Sequence, residues 1–201
     1  MKKYNKNQIR ELCTILKNDG VISVPTDTVY GICGSIKSKK AQAKLKAIKN
    51  RPENKPFPIM FADMEQIKSI AIVDERSEKI INKFMPGPIT IVLRKNPFIE
   101  EFINNGKNTI AIRMATSVEL KELIKSLGCP IFMTSANKSG EEVCKNLDEI
   151  EKNCPDLDGM LEGKVSFGQA STIVDCTSGE IKILRKGPIS EDEIRRTLNE
   201  T

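Results

Sequence analysis

Short apolar stretches with the length of buried strands alternate along this chain with stretches whose apolar residues recur at helical spacing. Val21–Pro25 and residues 89–93 and 130–134 belong to the first kind, and Val118–Leu127 belongs to the second. Apolar strands need helices or a second layer to cover them. The intermixing of the two patterns predicts an α/β fold with a mixed β-sheet.

Helix starts and stops can be placed from capping residues. Asn5 and Gln8 form a capping-box pattern that opens a helix, which Gly20 ends. Ser38 is placed to cap a second helix, and we expect that helix to end at Arg51 because Pro52 disfavours helical dihedrals in the residue before it. Both conclusions put the cations of residues 49–51 at or just beyond the end of a helix.

Further patterns complete the predicted element order. Residues 57–61 and 109–113 read as strands, and residues 77–84 read as a helix. Thr172–Asp175 and residues 180–184 flank a turn and predict a hairpin. Ser190 and Glu193 form a second capping-box pattern, which predicts a terminal helix.

Composition sets broad limits on what the chain does. Its 201 residues predict a single domain over residues 1–201. We expect a cytoplasmic protein, because no apolar run approaches the length of a membrane span and the first residues lack a signal-peptide hydrophobic stretch. The six cysteines form no CxxC pair, which predicts buried, reduced thiols. The chain contains no histidine, so histidine-based general-base, triad and zinc mechanisms are excluded.

The charge is unevenly distributed. Residues 36–55 hold eight cations against one acid, a net charge of +7, and residues 141–160 hold seven acids against two cations, a net charge of −5. The basic segment suits a triphosphate or a nucleic-acid backbone, although a solvated helix face is the alternative. With nine aromatic residues and no tryptophan there are few platforms for base stacking, so a small anion is favoured over RNA.

Polar residues gather next to the predicted strands. Thr28 follows one strand, Ser135 and Asn137 follow another, and Arg113 ends a third. Each could belong to an ordinary surface turn. Taken with Ser171 and Arg185, which also lie at strand ends, they predict one shared cleft in which arginines bind carboxylate or phosphate.

Six short motifs occur in chain order: PTDTVYG, K-x-R-P-x-x-K-P, PGP-I-T, S-A-N-x-S-G, S-T-I-V-D and L-R-x-G. Together they resemble the YrdC-type threonylcarbamoyl-AMP synthases of the universal tRNA threonylcarbamoyladenosine pathway, over nearly the whole chain. The resemblance implies a YrdC-like twisted mixed sheet with flanking helices around a large positively charged cavity, in the short, single-domain form of the family.

The implied reaction joins L-threonine, bicarbonate or CO2 and ATP into threonylcarbamoyl-AMP and releases pyrophosphate. The resemblance also implies site residues. The bicarbonate and carbamate positions are Lys49, Arg51 and Ser135; the ATP positions are Arg51, Lys55, Ser135, Asn137 and Arg185; the threonine positions are Thr28, Arg113 and Ser171. No metal ligands are predicted, and Mg2+ is expected to be carried with ATP.

The implied partner is a downstream tRNA threonylcarbamoyl-transfer enzyme complex, with possible RNA binding and no membrane. Two positions depart from the family pattern: Met60, where many relatives have a histidine near the threonine pocket, and the residues 114–116 that follow Arg113. Three alternatives remain: a double-stranded RNA-binding module, the carbamoyl-transfer domain of hydrogenase maturation proteins, and a paralogue with this fold but without synthase activity.

Overall fold

The computed structural model describes residues 1–166 and 169–199 of the chain. The α-helices in this part are α1 (Ile9–Lys17), α2 (Lys39–Lys49), α3 (Met64–Ile70), α4 (Glu75–Phe84), α5 (Val118–Leu127), α6 (Leu147–Asn153) and α7 (Glu191–Asn199). The strands are β1 (Lys3–Tyr4), β2 (Val21–Pro25), β3 (Tyr30–Ser35), β4 (Ile59–Phe61), β5 (Ala71–Ile72), β6 (Ile89–Lys95), β7 (Thr109–Met114), β8 (Ile131–Ser135), β9 (Gly159–Leu161), β10 (Thr172–Asp175) and β11 (Lys182–Arg185). None of these helices is both long and apolar enough to cross a bilayer.

The strands form one mixed sheet in the order β1-β9-β2-β3-β8-β4-β7-β6-β10-β11, with β5 paired to β6. Parallel pairs (β4 with β7, β6 with β10) alternate with antiparallel pairs (β3 with β8, β6 with β7). The predicted α/β class with a mixed sheet is therefore confirmed.

Two apolar clusters cover the sheet. The smaller one contains Leu12 and Leu16 of α1 and Leu123 of α5, and these two helices pack together. The larger one includes Leu45 of α2 and Ile80 of α4. All the side chains named here are at most about 1% exposed, so each contributes roughly 1.5–3 kcal/mol of hydrophobic stabilisation.

Helix α2 approaches the sheet closely because β3 carries a glycine where the helix crosses it. A Cβ atom at Gly34 would lie 2.9 Å from the Ala41 Cβ. Ser38 caps the start of the helix by accepting a hydrogen bond from the Ala41 N–H, as predicted. The helix axis is thereby fixed against β3, and its last residue, Lys49, is directed toward the end of β8.

The predicted elements are confirmed with small changes at their ends. The hairpin of β10 and β11 and both capping boxes are present, the first at a short 3-10 turn that runs into α1. The prediction that the second helix ends at Arg51 is wrong. The helix ends at Lys49, because Asn50 adopts a left-handed cap with φ 48° and the Arg51 N–H bonds back to the Lys46 carbonyl.

The sequence patterns missed several elements. Strand β3 is central in the sheet, but two of its six residues are glycines and Ile32 is its one β-branched residue, so its strand signal is weak. Helices α3 and α6 have only seven residues each, too few to show a clear helical period. The strands β1, β5 and β9 were missed because they have only two or three residues each, too few to show an alternating pattern.

We expect Phe132→Ala to destabilise the protein by about 3–5 kcal/mol, because Phe132 is fully buried in β8 and packs against Phe57 with ring centroids 6.1 Å apart. Phe98→Ala is the control, since Phe98 is 92% exposed and its removal should change stability by less than about 0.5 kcal/mol. Urea denaturation measures both. Equal losses in the two variants would contradict this account of the core.

Candidate active site

A buried lysine joins the end of α2 to the loop after β8. The residue Lys49 is 3% exposed, and its ammonium donates to the Ser135 carbonyl (2.9 Å) and to Asn137 Oδ1 (2.8 Å), with a longer contact of 3.4 Å to Ser135 Oγ. The loop after β8 also bonds to the backbone of α2, because the Ser139 N–H donates to the Lys49 carbonyl at 2.7 Å. The third ammonium hydrogen, on the long contact, is the one most available to a ligand.

The side chains of Ser135 and Asn137 are hydrogen-bonded to each other and to their own loop. Ser135 Oγ donates to Asn137 Oδ1 at 2.6 Å, and the Asn137 amide nitrogen donates to the carbonyls of Lys138 and Glu141. Ser135 must therefore turn its hydrogen away from Asn137 before it can donate to an anion. Asn137 is saturated by protein groups, so its evident role here is to hold Lys49 and Ser135 in place.

Burial and the nearby Arg51 charge lower the pKa of Lys49 from 10.5 to about 8. The group is therefore still mainly protonated at pH 7. The charge of Lys49 therefore depends on pH around 8, well below the ordinary lysine pKa of 10.5.

Arg51 is preorganised by its own loop. Its Nε donates to the Lys55 carbonyl (2.9 Å), one Nη donates to the Pro56 carbonyl (2.7 Å), and the guanidinium lies 4.7 Å from the centre of the Phe57 ring. Burial lowers the pKa of Arg51, which nevertheless stays charged. Lys55 belongs to the same loop and is exposed, and both cations line the same cavity.

Arg113 is held on the opposite side by a buried ion pair and a hydroxyl. One Nη contacts Asp27 Oδ1, and the other donates to Thr28 Oγ1 at 2.9 Å. Burial lowers the pKa of Arg113; Asp27 opposes this shift and the Arg185 charge adds to it. The Arg113 Nε and Asp27 Oδ2 are buried without a hydrogen-bond partner among residues 1–166 and 169–199.

Arg185 binds Ser171 twice. Its Nε donates to the Ser171 carbonyl (2.9 Å) and one Nη donates to Ser171 Oγ (3.0 Å), while Ser171 Oγ also lies 2.8 Å from Thr90 Oγ1. Burial lowers the pKa of Arg185. The resemblance assigned Arg185 to ATP and Ser171 to threonine, but the structure brings the two into direct contact. They lie where the two ligand positions would adjoin.

All nine predicted site residues line one cavity of about 470 Å³. The residues are Thr28, Lys49, Arg51, Lys55, Arg113, Ser135, Asn137, Ser171 and Arg185. Five of the side chains that line the cavity are cationic, and among the described lining residues there is no carboxylate. The cavity is thus built to receive several negative charges.

The predicted shared cleft is present, and it is not confined to one edge of the sheet. Strands β7 and β8 run in opposite directions, because β4 is antiparallel to β8 and parallel to β7. The carboxyl ends that carry Arg113 and Ser135 therefore lie toward opposite edges of the sheet. The cavity extends over the sheet between these ends, since Met133 in the middle of β8 also lines it, together with Thr90 and Ile173 near the starts of β6 and β10.

Sequence reasoning missed several lining residues, among them Thr26, Thr90 and Gly140. Each lies inside a motif that was noted, so the motifs themselves were the available signal. Met60 does not line the cavity, although the resemblance places its position near the threonine pocket. It is buried in the smaller apolar cluster and is absent from the lining, so this chain has an apolar core residue where the resemblance places a histidine near the pocket.

The other predictions for this region can also be compared with the structure. All six cysteines are free and buried, as predicted. No group of three or more cysteine or acidic side chains able to hold a metal ion occurs within residues 1–166 and 169–199.

Comparison with known proteins places the chain in a family. The model of the Sua5/YciO/YrdC family, which carries the description "Telomere recombination", matches residues 14–187. Since that match spans most of the sequence, the chain belongs to this family.

Similar proteins agree with this placement. A Methanocaldococcus jannaschii protein, provisionally named threonylcarbamoyl-AMP synthase, is 34% identical over 198 residues, which are 96% of this chain and 93% of that protein. The Bacillus subtilis threonylcarbamoyl-AMP synthase is 29% identical over 201 residues, which are 96% of this chain and 57% of that protein. A crystal structure of Pyrococcus abyssi Sua5 complexed with L-threonine has a TM-score of 0.90 at 27% identity and covers 98% of this chain and 60% of that one. This chain therefore spans little more than half the length of the Bacillus and Pyrococcus relatives.

The lowered pKa of Lys49 predicts a pH-dependent affinity for ATP in the absence of other substrates. As the pH rises from 7 to 9 through the pKa of about 8, Lys49 loses its proton and affinity should fall. The phosphates of ATP do not obscure this change, because a terminal phosphate titrates near pH 6. Calorimetric titration at several pH values measures the effect.

Lys49→Gln should bind ATP weakly and nearly independently of pH between 7 and 9. Lys55→Gln is the matched control, because Lys55 is exposed and its loss should weaken binding without removing the pH dependence. An unchanged pH dependence in Lys49→Gln would show that another group is responsible.

Proposed function

We infer that this chain synthesises threonylcarbamoyl-AMP from L-threonine, bicarbonate or CO2, and ATP, with release of pyrophosphate. One observation carries this inference: all nine residues to which the resemblance assigns a role line a single cavity. The curated relatives named for this activity and the family membership support it. The reaction is the first step of tRNA threonylcarbamoyladenosine modification.

The two sides of the cavity suit different ligands. Lys49, Arg51 and Lys55 lie together with no carboxylate beside them in the lining, which suits the phosphates of ATP. On the other side Arg113 is paired with Asp27 and bonded to Thr28, which gives that side both a cation and hydrogen-bonding oxygens. An amino acid, with a carboxylate, an amine and here a hydroxyl, matches that second side.

The proposed chemistry needs no protein nucleophile and no histidine. The neutral amine of threonine attacks CO2 and releases a proton to solvent, or attacks bicarbonate with loss of water. In both cases an N–C bond forms and gives a carbamate. A carbamate oxygen then attacks the α-phosphorus of ATP, a P–O bond forms, and the bond to pyrophosphate breaks. Because both reactants are anions, Lys49, Arg51 and Arg185 would offset their repulsion and stabilise the departing pyrophosphate.

We also propose that Mg2+ arrives with the ATP phosphates. The described lining residues fit this arrangement, because they provide cations and hydroxyls for a metal-bearing triphosphate but no carboxylate cage of their own. When bound, the ion would add further charge neutralisation to the phosphates. The product would pass to a tRNA threonylcarbamoyl-transfer enzyme, which is the proposed partner.

We expect Arg51→Ala to keep the fold and to lower pyrophosphate release by about 10²–10³-fold, because one preorganised cation at the reacting phosphates is lost. The assay contains ATP, Mg2+, bicarbonate and L-threonine.

In a parallel reaction valine replaces threonine. Valine has the shape of threonine but leaves the hydroxyl partners of the site unpaired, so it should give no adenylate.

Arg195→Ala is the matched control, since Arg195 lies on α7, is exposed, and pairs with Glu191 away from the cavity. It should retain full activity. Wild-type turnover by Arg51→Ala would refute the role of that arginine. A wild-type protein that forms no adenylate with threonine, yet binds double-stranded RNA with a steep salt dependence, would support the RNA-binding alternative instead.

A further inference from the structure

Thr90 is a buried polar residue that none of the predicted roles uses. It lies in β6 between Ile89 and Ile91, is 3% exposed, and lines the cavity. A hydroxyl buried in an apolar strand is unfavourable unless it is hydrogen-bonded. Its one hydrogen-bond partner among residues 1–166 and 169–199 is Ser171 Oγ, at 2.8 Å.

The hydrogens of this hydroxyl pair can be counted. Ser171 Oγ accepts from Arg185, so the Thr90–Ser171 contact uses one of the two hydroxyl hydrogens and leaves the other free. No other described residue accepts a hydrogen bond from either hydroxyl. Both residues line the cavity, so the free hydrogen is available to a ligand there.

The hydroxyls of Thr26 and Thr28, which lie beside Arg113 in the same cavity, have no such spare hydrogen. Thr26 Oγ1 donates to the Val29 carbonyl at 2.7 Å, so in the contact of 3.0 Å between Thr26 and Thr28 the hydrogen belongs to Thr28. Thr28 Oγ1 also accepts from Arg113 and keeps only a lone pair for a ligand. Thr28 therefore accepts from a bound molecule, whereas the Thr90–Ser171 pair donates to it.

We propose that Thr90 is a positioning residue that donates to Ser171 Oγ and thereby directs the Ser171 hydrogen onto the carboxylate of the amino-acid substrate. In this arrangement Ser171 Oγ accepts from two donors, one of them the Arg185 cation, and both polarise its O–H bond. Ser171 Oγ is therefore a stronger donor to an anionic oxygen than Thr90 Oγ1 would be in the reverse arrangement. This inference rests on the proposed function and adds to it a residue and a direction for the hydrogen bond.

The test compares Thr90→Val with Thr90→Ser in the threonine-dependent assay. Thr90→Val should raise KM for threonine about 3- to 10-fold, the effect of one lost neutral hydrogen bond, while KM for ATP stays unchanged. Thr90→Ser keeps the hydroxyl and should restore the wild-type value. Thr197→Val is the matched control, because Thr197 is equally buried but its hydroxyl bonds to the Glu193 carbonyl within α7.

A double-mutant cycle separates positioning from direct contact. Since Thr90 acts through Ser171, Thr90→Val should add little further loss in a Ser171→Ala background. Additive losses would overturn the proposal, because they would mean that Thr90 itself binds the ligand. An unchanged KM for threonine, or a raised KM for ATP instead, would overturn it as well. Inactive wild-type protein would refute the proposed function and this inference together, whereas active wild-type protein with an unaffected Thr90→Val refutes the inference alone.

Discussion

A buried ammonium group ties together two segments that are 86 residues apart in the chain. Lys49, at the last turn of α2, bonds to the Ser135 carbonyl and to Asn137, and the Ser139 amide bonds back to the Lys49 carbonyl. This arrangement places a negative helix terminus, a cation and the loop after β8 in contact. The positions of Arg51 and Lys55 depend on it, because the loop that contains both residues begins directly after Lys49.

Burial of the charged Lys49 side chain lowers the free energy of unfolding. Its folded-state pKa of about 8 lies below the unfolded value of 10.5, so burial of the charged form disfavours folding by a few kcal/mol at neutral pH. That cost is relieved as the pH rises from 8 toward 10.5, where the unfolded chain still binds the proton and the folded chain does not. A buried charge maintained at such a cost is characteristic of a functional site, in which a bound anion would supply the missing partner.

Much of this arrangement follows from local sequence, and the rest depends on long-range contacts. The capping residues Asn5 and Ser38 and the hairpin of β10 and β11 were predictable because their signals lie within a few residues. Strand β3 was not predictable, since glycine is unfavourable in strands. Gly34 is instead required for the close approach of α2. The nine site residues were named from motifs, but their contacts were not. The contacts of Lys49 with Asn137 and of Arg113 with Thr28 join residues 88 and 85 positions apart and depend on tertiary packing.

The most direct test is a crystal structure with L-threonine and a non-hydrolysable ATP analogue bound together. The account predicts the phosphates against Lys49, Arg51 and Lys55, and the amino acid between Thr28, Arg113 and Ser171. Electron density for the phosphates beside the Arg113–Asp27 pair, or for both ligands outside this cavity, would contradict it.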